Sequence, residues 1–581
     1  MCGIIGYIGR REAAPLIVEG LKKLEYRGYD SFGIATRGNG IDVVKHQGRI
    51  SERASTAGRL RGKVGIGHTR WATHGIPNDK NAHPHTDCAG KIAVVHNGII
   101  ENYARLKQTL QFRGHTFRSE TDTEVIVHLI EEEYAKNPDL LSAVQAVVPK
   151  LEGSYAILVI AAGEERIIAA RNASPLVIGV GDGEFFAASD MTPVIEFTER
   201  AIFLEDGDTV SLSTKKIELF HDGKPVTRPV ELIDWSLEDV RKGGFTHYML
   251  KEIFEQPQAF YNTIRSIDPG TLPGHVRHAG SVTLVACGSS YHTGLIFKYL
   301  LEAICGIPAR LEFASEFKYF PPPVKDLVIG ITQSGETADT IAALKYAKLY
   351  GCATLAITNV LGSSVTRVAD SILFMRAGPE ISVAATKSFI AQLAILMQIV
   401  NSISDTNYDD ELLQAHKSIE EVLLMDLGEA VAVCKKAHSI FYVGRGPFYP
   451  VSLEGALKMK EISYIHAEGY AAGELKHGPF ALLSPETPVI ALCMPGDTYS
   501  VMISNIKEMK ARGAPVIAIG AEGDRELPDI IDIFIAVPKT PLFAQILTGL
   551  VIEQLLAYHT AVSLGRDVDK PRNLAKSVTV E

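Results

Sequence analysis

Residues 281–305 read SVTLVACGSSYHTGLIFKYLLEAIC. A β-favouring run passes through a Cys-Gly-Ser-Ser turn into a long helical pattern. LVIGITQSGET (327–337) passes likewise into ADTIAALKYAKLYG (338–351), and ATLAITN (353–359) follows. Strands alternating with helices of roughly ten to fifteen residues imply βαβ units on a parallel sheet. The pattern occurs twice. Gly288 of VACGSS and Gly446 of YVGRGP lie 158 residues apart, and the same offset carries Ala314 and Glu316 of ASEF onto Ala472 and Glu474 of AGEL. An offset of 161 carries Gly335-Glu336-Thr337 onto Gly496-Asp497-Thr498. Two tandem copies of one α/β domain explain both, and only the first keeps hydroxyls before its Gly-Glu-Thr: Thr332, Gln333 and Ser334, against Cys493, Met494 and Pro495.

Before residue 235 the texture differs. Short β-rich runs such as IAVVHNGII, YAILVIA and PLVIGVG are separated by Gly, Asn and Asp turns, with helical stretches near 12–24 and 121–136. DWSLEDVRKGGF is charged, contains glycine and lacks apolar periodicity, as a linker does. The expected organisation is a first domain over 2–235, a linker over 236–246, α/β copies over 247–404 and 405–561, and a tail over 562–581.

A net charge of −10 over 581 residues argues against a general nucleic-acid binder. Seven cysteines without a C-x-x-C pair indicate neither a disulfide framework nor a zinc ribbon, and suggest a cytoplasmic protein. No uninterrupted apolar run has the roughly 18–20 residues that span a bilayer, so no membrane insertion is expected. The opening MCGIIGYIG has glycines in its apolar run and no basic residue before Arg10, unlike a secretory signal.

Removal of Met1 would leave Cys2 with a thiol and a free α-amine on one residue. The amine titrates at about 7.7–8.0, close to the thiol at about 8.5, so it can serve as base to its own side chain. Downstream, Arg70 in HTRWATHG offers a fork for a carboxylate, and Asp122 in SETDTE a partner for an ammonium. Asn97 and the Gly98 N–H in HNGIIEN offer two donors to an oxyanion. Together they describe an amino-acid amide site. MCGIIGYIG, EYRGYDS, HTRWATHG, HNGIIEN and SETDTE resemble the glutaminase domain of the class II, N-terminal-nucleophile amidotransferases. The resemblance implies an αββα sandwich with Cys2 as nucleophile, Arg70 and Asp122 holding the α-carboxylate and α-amine of L-glutamine, and Asn97 and Gly98 forming the oxyanion hole. It also implies that Trp71 and His74 close over the site and lead to an ammonia exit.

GITQSGETADT places Thr332, Ser334, Thr337 and Thr340 between a strand and a helix, where hydroxyls and backbone N–H groups can surround a phosphate. The loop resembles sugar isomerase domains, which bind phosphosugars. In EGALKMKEISYIHAEGYAAGELKHGP (454–479), Glu454, Lys458 and Glu461 share one helix face at spacings of four and three, which pairs acid/base groups with a cation. His477 follows after a turn. The tail DKPRNLAKSVTVE carries Lys576, a candidate Schiff-base lysine.

In this order and through the last residue, the halves resemble amidotransferases that pass ammonia through an internal channel to a phosphosugar. That resemblance implies conversion of fructose 6-phosphate to glucosamine 6-phosphate. Ser289, Ser290, Thr332, Gln333, Ser334 and Thr337 would bind the phosphosugar, with the backbone at Val383 and Ala384 lining the site. Lys576 would hold the open-chain ketose, His477 would assist ring opening, and Glu461 would move a proton between C1 and C2, supported by Lys458 and Glu454. A homodimer with His477 contributed across the interface is implied, and neither a metal nor an organic cofactor. Ser289, Thr332 and Ala385 depart from the usual Thr, Ser and Ser, and Ala385 removes one hydroxyl. No long insertion of the kind tied to nucleotide-sugar feedback is present. A non-catalytic phosphosugar sensor is the alternative reading, and it leaves Cys2, Glu461 and Lys576 without a purpose.

Overall fold

Val282–Ala286, Leu327–Ile331 and Val489–Cys493 are buried along their whole length, as strands covered on both faces must be. They belong to a computed structural model that describes the chain except for residues 1, 51–52, 54–56, 73, 234–241, 268–271, 273, 320–326 and 580–581. Most of the expected linker, 236–241, therefore lies outside the described residues. Two compact units emerge, Met1–Arg241 with Ala575–Glu581, and Lys242–Leu574.

The second unit holds two five-stranded parallel sheets of one topology. The first runs Ala309–Phe313, Val282–Ala286, Leu327–Ile331, Ala353–Thr358, Ser371–Phe374; the second runs His466–Ala471, Ser439–Gly444, Val489–Cys493, Val516–Ala521, Ile533–Val537. Each is a 2-1-3-4-5 order, whose crevice for ligands opens at the carboxyl ends of strands one and three. The repeat read from the sequence holds in the backbone. Gly288 and Gly446, each closing the first strand of its copy, have φ of +56° and +55°. Both copies feed one apolar core through Lys387–Ile403, Phe448–Ser463 and Leu542–Ser563, with Leu284, Ile329, Ile440 and Ile490 beneath. Leu542–Ser563 has 22 residues and enough apolar character to cross a membrane, but its apolar stretch is 89% buried within the protein. Its hydropathy serves the core.

The first unit is antiparallel throughout its sheets. An eight-stranded sheet has Gly3–Ile8 between Phe185–Ala188 and Val64–Arg70, and a seven-stranded sheet has Ile92–Ile100 beside Gly153–Ala161. Ile4, Ile66, Val95, Leu158 and Ile167 from the two sheets form one layer between them. Helix Ala13–Leu24 covers one outer face; a Cβ at Gly67 would lie 2.4 Å from its Ile17, so glycine sets the close approach. Helices Glu124–Lys136 and Leu140–Val147 cover the other. This is an αββα sandwich followed by two doubly wound sheets.

Candidate active sites

Cys2 leads into the central strand Gly3–Ile8, which pairs in antiparallel register with Val64–Arg70, Gly3 opposite Thr69. A Cβ on Gly3 would lie 2.6 Å from Thr69 Oγ1, so the residue after Cys2 must be small. The register delivers Arg70 and Trp71 to the cysteine. Trp71 N–H donates to Cys2 Sγ at 3.3 Å, and Sγ lies 3.5 Å from Trp71 O. Burial pushes the thiol above its ordinary range; the amino terminus, the Trp71 N–H and the Arg70 guanidinium pull it back.

Arg70 is 3% exposed. Its Nη2 donates to the carbonyls of His74 and Gly75, while its Nη1 is buried without a hydrogen-bond partner among the described residues. Burial lowers its proton affinity, offset by Cys2, Asp30 and Asp122. A buried cationic donor left unpaired is costly, and a carboxylate satisfies it in the geometry the fork prefers. Asp122, also buried, accepts from Ile100 N–H at 2.8 Å. Asn97 Nδ2 donates to the Cys2 carbonyl at 2.9 Å. Gly98 has φ +130°, and a Cβ there would meet Ser154 O at 2.0 Å. The His74 ring packs edge-on to Tyr103, and Trp71 to Tyr29.

Arg27 and Asp190 adjoin Cys2, and the sequence reading did not single them out. Arg27 Nε donates to the Cys2 carbonyl at 3.3 Å and its Nη1 pairs with Asp190 at 2.9 Å, where the Tyr26 hydroxyl also binds. Arg27 lies inside EYRGYDS, so the motif carried the signal although no role was attached to it. Behind the site, His68, His83, His85 and His96 are buried in contact; His68 stacks on His83 at 4.0 Å and its Nε2 meets His96 O at 2.9 Å. Burial holds all four below the usual imidazole range, His68 at about 3.

In the second unit the carboxyl ends of strands one and three of the first copy carry Ser289-Ser290 and Thr332–Ser334. Thr332 Oγ1 and Thr337 Oγ1 are 2.8 Å apart, Gly335 N–H donates to Thr332 Oγ1 at 3.2 Å, and Glu336 N–H to Ser334 Oγ at 3.1 Å. Gly335 at φ +66° closes the turn where any Cβ would strike Ser363 Oγ at 2.0 Å. Gln333 O takes Asn359 N–H at 3.0 Å. Gln392 Nε2 donates to Ser290 Oγ at 3.0 Å. Val383 and Ala384 are buried, Val383 N–H bonding Asp569 O at 3.0 Å.

Helix Phe448–Ser463 of the second copy meets this loop. Glu454 and Lys458 are fully buried, so the charged face is not a solvated one. Lys458 Nζ lies 3.3 Å from Glu454 and 2.5 Å from Glu461. It also donates to Ser289 Oγ at 3.2 Å, while Ser289 Oγ donates to Glu454 at 2.8 Å and His292 Nδ1 lies 2.7 Å from Glu454. Burial opposes the charge on Lys458, but the Glu461 and Glu454 carboxylates outweigh it and raise its proton affinity. Burial likewise opposes ionisation of Glu454, and Lys458, His292 and Ser289 outweigh it, holding the carboxyl below its usual range. The result is a buried ion pair of Glu454 and Lys458, with Glu461, one-fifth exposed, at its open end. His292 and Gln392 were not anticipated, since each acts across elements far apart in sequence.

In the second copy the matching turn carries Arg445, which lies against Gly473 and donates to Asn505 Oδ1 at 2.8 Å. His477 is exposed at the end of the short helix Ala472–His477. Lys576 falls in Ala575–Glu581, grouped with the first unit.

Residues 68–196 match the glutamine amidotransferase domain family, and residues 275–402 and 434–564 match the SIS domain family. The glutamine–fructose-6-phosphate aminotransferase [isomerizing] of Thermococcus kodakarensis is 48% identical over 606 residues, and that of Thermus thermophilus 47% over 607, each covering 100% of both chains. The solved carboxy-terminal domain of glucosamine-fructose-6-phosphate aminotransferase from Francisella tularensis is 34% identical, with TM-score 0.51, covering 57% of this chain and 99% of that one. With such identity sustained over the full length and both domain types in the same order, the chain belongs to the glutamine–fructose-6-phosphate aminotransferase (isomerizing) family of enzymes.

Proposed function

We propose that this enzyme transfers the amide nitrogen of L-glutamine to D-fructose 6-phosphate, yielding L-glutamate and D-glucosamine 6-phosphate in the cytoplasm. The observation that carries the glutamine half is the unpaired, buried Arg70 Nη1 within the group formed by Cys2, Asp122 and Asn97. Cys2, with its own α-amine as base, attacks the amide carbon; ammonia leaves, and water resolves the thioester. Arg70 and Asp122 hold the α-carboxylate and α-amine, Asn97 and Gly98 stabilise the oxyanion, and Trp71 and His74 cover the substrate. Released ammonia passes to the sugar through an internal channel. Ser289, Ser290, Thr332, Gln333, Ser334 and Thr337 bind the phosphosugar beside Val383 and Ala384. Glu461 moves the proton between C1 and C2, Lys458 and Glu454 fix its position, Lys576 holds the open-chain ketose, and His477 of a second subunit assists ring opening in a homodimer. The functional divisions follow as 2–235, 236–246, 247–404, 405–561 and 562–581.

The alternative, a phosphosugar sensor, leaves the buried Glu454–Lys458–Glu461 network without work. Cys2→Ala separates the two readings: synthesis from glutamine should vanish while synthesis from concentrated ammonia persists. Failure of the parent protein to form any hexosamine phosphate from either nitrogen source would support the sensor.

A further inference from the structure

Four side chains of the first unit converge on one point away from Cys2. Cys88 follows the short strand His85–Thr86, His115 follows helix Tyr103–Phe112, and His128 and Glu131 lie one turn apart on helix Glu124–Lys136. Their ligand atoms all lie within 4.8 Å of one another. Cys88 Sγ is 3.7 Å from His115 Nδ1 and 3.7 Å from His128 Nδ1. Glu131 Oε2 is 3.1 Å from His115 Nδ1 and 3.0 Å from His128 Nδ1. Around a tetrahedral zinc ion, bonds of about 2.3 Å to sulfur and about 2.0–2.2 Å to nitrogen and oxygen place sulfur and nitrogen about 3.6 Å apart, and nitrogen and oxygen about 3.4 Å apart. The four atoms already stand near the corners of that figure.

The surroundings match what metal-bound histidines need. The other nitrogen of each ring faces a second carboxylate: His115 Nε2 is 3.4 Å from Glu132, and His128 Nε2 is 3.7 Å from Glu124. A carboxylate hydrogen-bonded in that position fixes the tautomer and strengthens the ligand, as Glu132 can for His115, while Glu124 stands just beyond hydrogen-bond distance of His128. Glu124 is itself anchored by the N–H groups of Arg118 and Ser119 at 2.8 and 2.7 Å. Glu131 Oε2 takes Cys88 N–H at 3.2 Å and lies within hydrogen-bond reach of both imidazoles, and the Cys88 thiol faces both ring nitrogens. A divalent cation on one thiolate, one carboxylate and two neutral imidazoles gives a site of zero net charge, which lowers the cost of burial.

We propose that Cys88, His115, His128 and Glu131 form a closed, structural zinc site. Soft sulfur with imidazole in tetrahedral array selects zinc over calcium or magnesium, and four protein ligands leave no position for a substrate. Binding displaces the Cys88 proton to solvent and ties three segments together. His115 and His128 bracket Ser119–Thr123, so the ion holds the stretch that carries Asp122. It therefore supports the amine end of the proposed glutamine pocket without touching it.

The test is the metal content of untagged, full-length protein, by elemental mass spectrometry. About one zinc per chain is expected, unchanged in Cys2→Ala, which removes the only other thiol of this unit, and at least tenfold lower in Cys88→Ser and His115→Asn. If those variants fold poorly, X-ray absorption at the zinc edge of the parent protein decides, with one sulfur and three nitrogen or oxygen neighbours expected. Chelation should lower the parent's melting temperature reversibly and raise KM for glutamine more than it lowers kcat. A parent protein that neither carries zinc nor binds it when stripped and titrated with zinc alone would overturn the proposal. So would zinc retained in full by both variants, or a zinc site without sulfur.

Discussion

Replacing Glu461 by Gln separates the acid/base work of the second unit from its architecture. The substitution keeps size and hydrogen-bonding capacity but removes the basicity needed to take a proton from one sugar carbon and return it to the next. Lys458 is fully buried, and breaking a buried ion pair costs about 3–5 kcal/mol when it strands a charge. Here it does not, because Glu454 remains 3.3 Å away and is itself fixed by Ser289 and His292 at 2.8 and 2.7 Å. The variant should therefore fold. Loss of general-base catalysis is worth about 10²- to 10⁴-fold, or about 3–5 kcal/mol of barrier, and should appear in kcat for hexosamine phosphate formation. Glutamine hydrolysis, performed by the first unit, should persist. Fructose 6-phosphate incubated in heavy water should gain deuterium at C1 or C2 with the parent enzyme and not with the variant. Glu454→Gln should behave differently, since it withdraws charge from Lys458, His292 and Ser289 together and should destabilise the fold. Unchanged synthesis and exchange in Glu461→Gln would refute the assignment and leave Glu461 a mere counter-ion of Lys458.

An amino-terminal tag, or retention of Met1, should abolish glutamine hydrolysis while sparing ammonia-dependent synthesis; full glutaminase activity in a uniformly tagged protein would contradict the α-amine as base. Ser334→Ala and Thr337→Ala should each weaken phosphosugar binding by about 1.5–3 kcal/mol, whereas Thr498→Ala in the other copy should do little; equal losses measured by calorimetry would place the phosphate elsewhere. Gly98→Ala should abolish glutaminase activity and lower the melting temperature, because the new Cβ would sit 2.0 Å from Ser154 O at φ +130°. His68 titrates at about 3 in the folded chain against 6.5 when exposed, so between those values the unfolded chain binds the extra proton. Stability should fall on acidification through that window by about 1.4 kcal/mol per pH unit for each such histidine, read as a melting temperature that drops from pH 7 to pH 5. A melting temperature that rises would contradict the buried neutral imidazoles.

The parallel sheets were legible because strands covered on both faces leave continuous apolar runs between helical periods, and because two copies repeat one turn chemistry at Gly288 and Gly446. The sandwich was harder to read from its own pattern, since its central strands, such as Gly3–Ile8 and Val64–Arg70, are buried throughout and a continuous apolar run names no partner; the motif resemblance supplied the pairing of Cys2 with Arg70 and Trp71 that the register of Gly3 with Thr69 produces. Contacts made across long separations were not legible. Ser289 meets Glu454, 165 residues on, and Ser290 meets Gln392, 102 residues on; no local rule links such positions. The zinc ligands escaped for a related reason. Cys88 and His115 lie in separate loops and His128 on a helix, and only His128-x-x-Glu131 shows helical spacing.

Heavy nitrogen at the amide of glutamine, followed into product by mass spectrometry with fructose 6-phosphate present, tests the central claim most directly. Glucosamine 6-phosphate carrying the label, in amounts matching the glutamate released, is the predicted result. Labelled ammonia released to solution with no labelled hexosamine phosphate, or no glutamate formed at all, would contradict it.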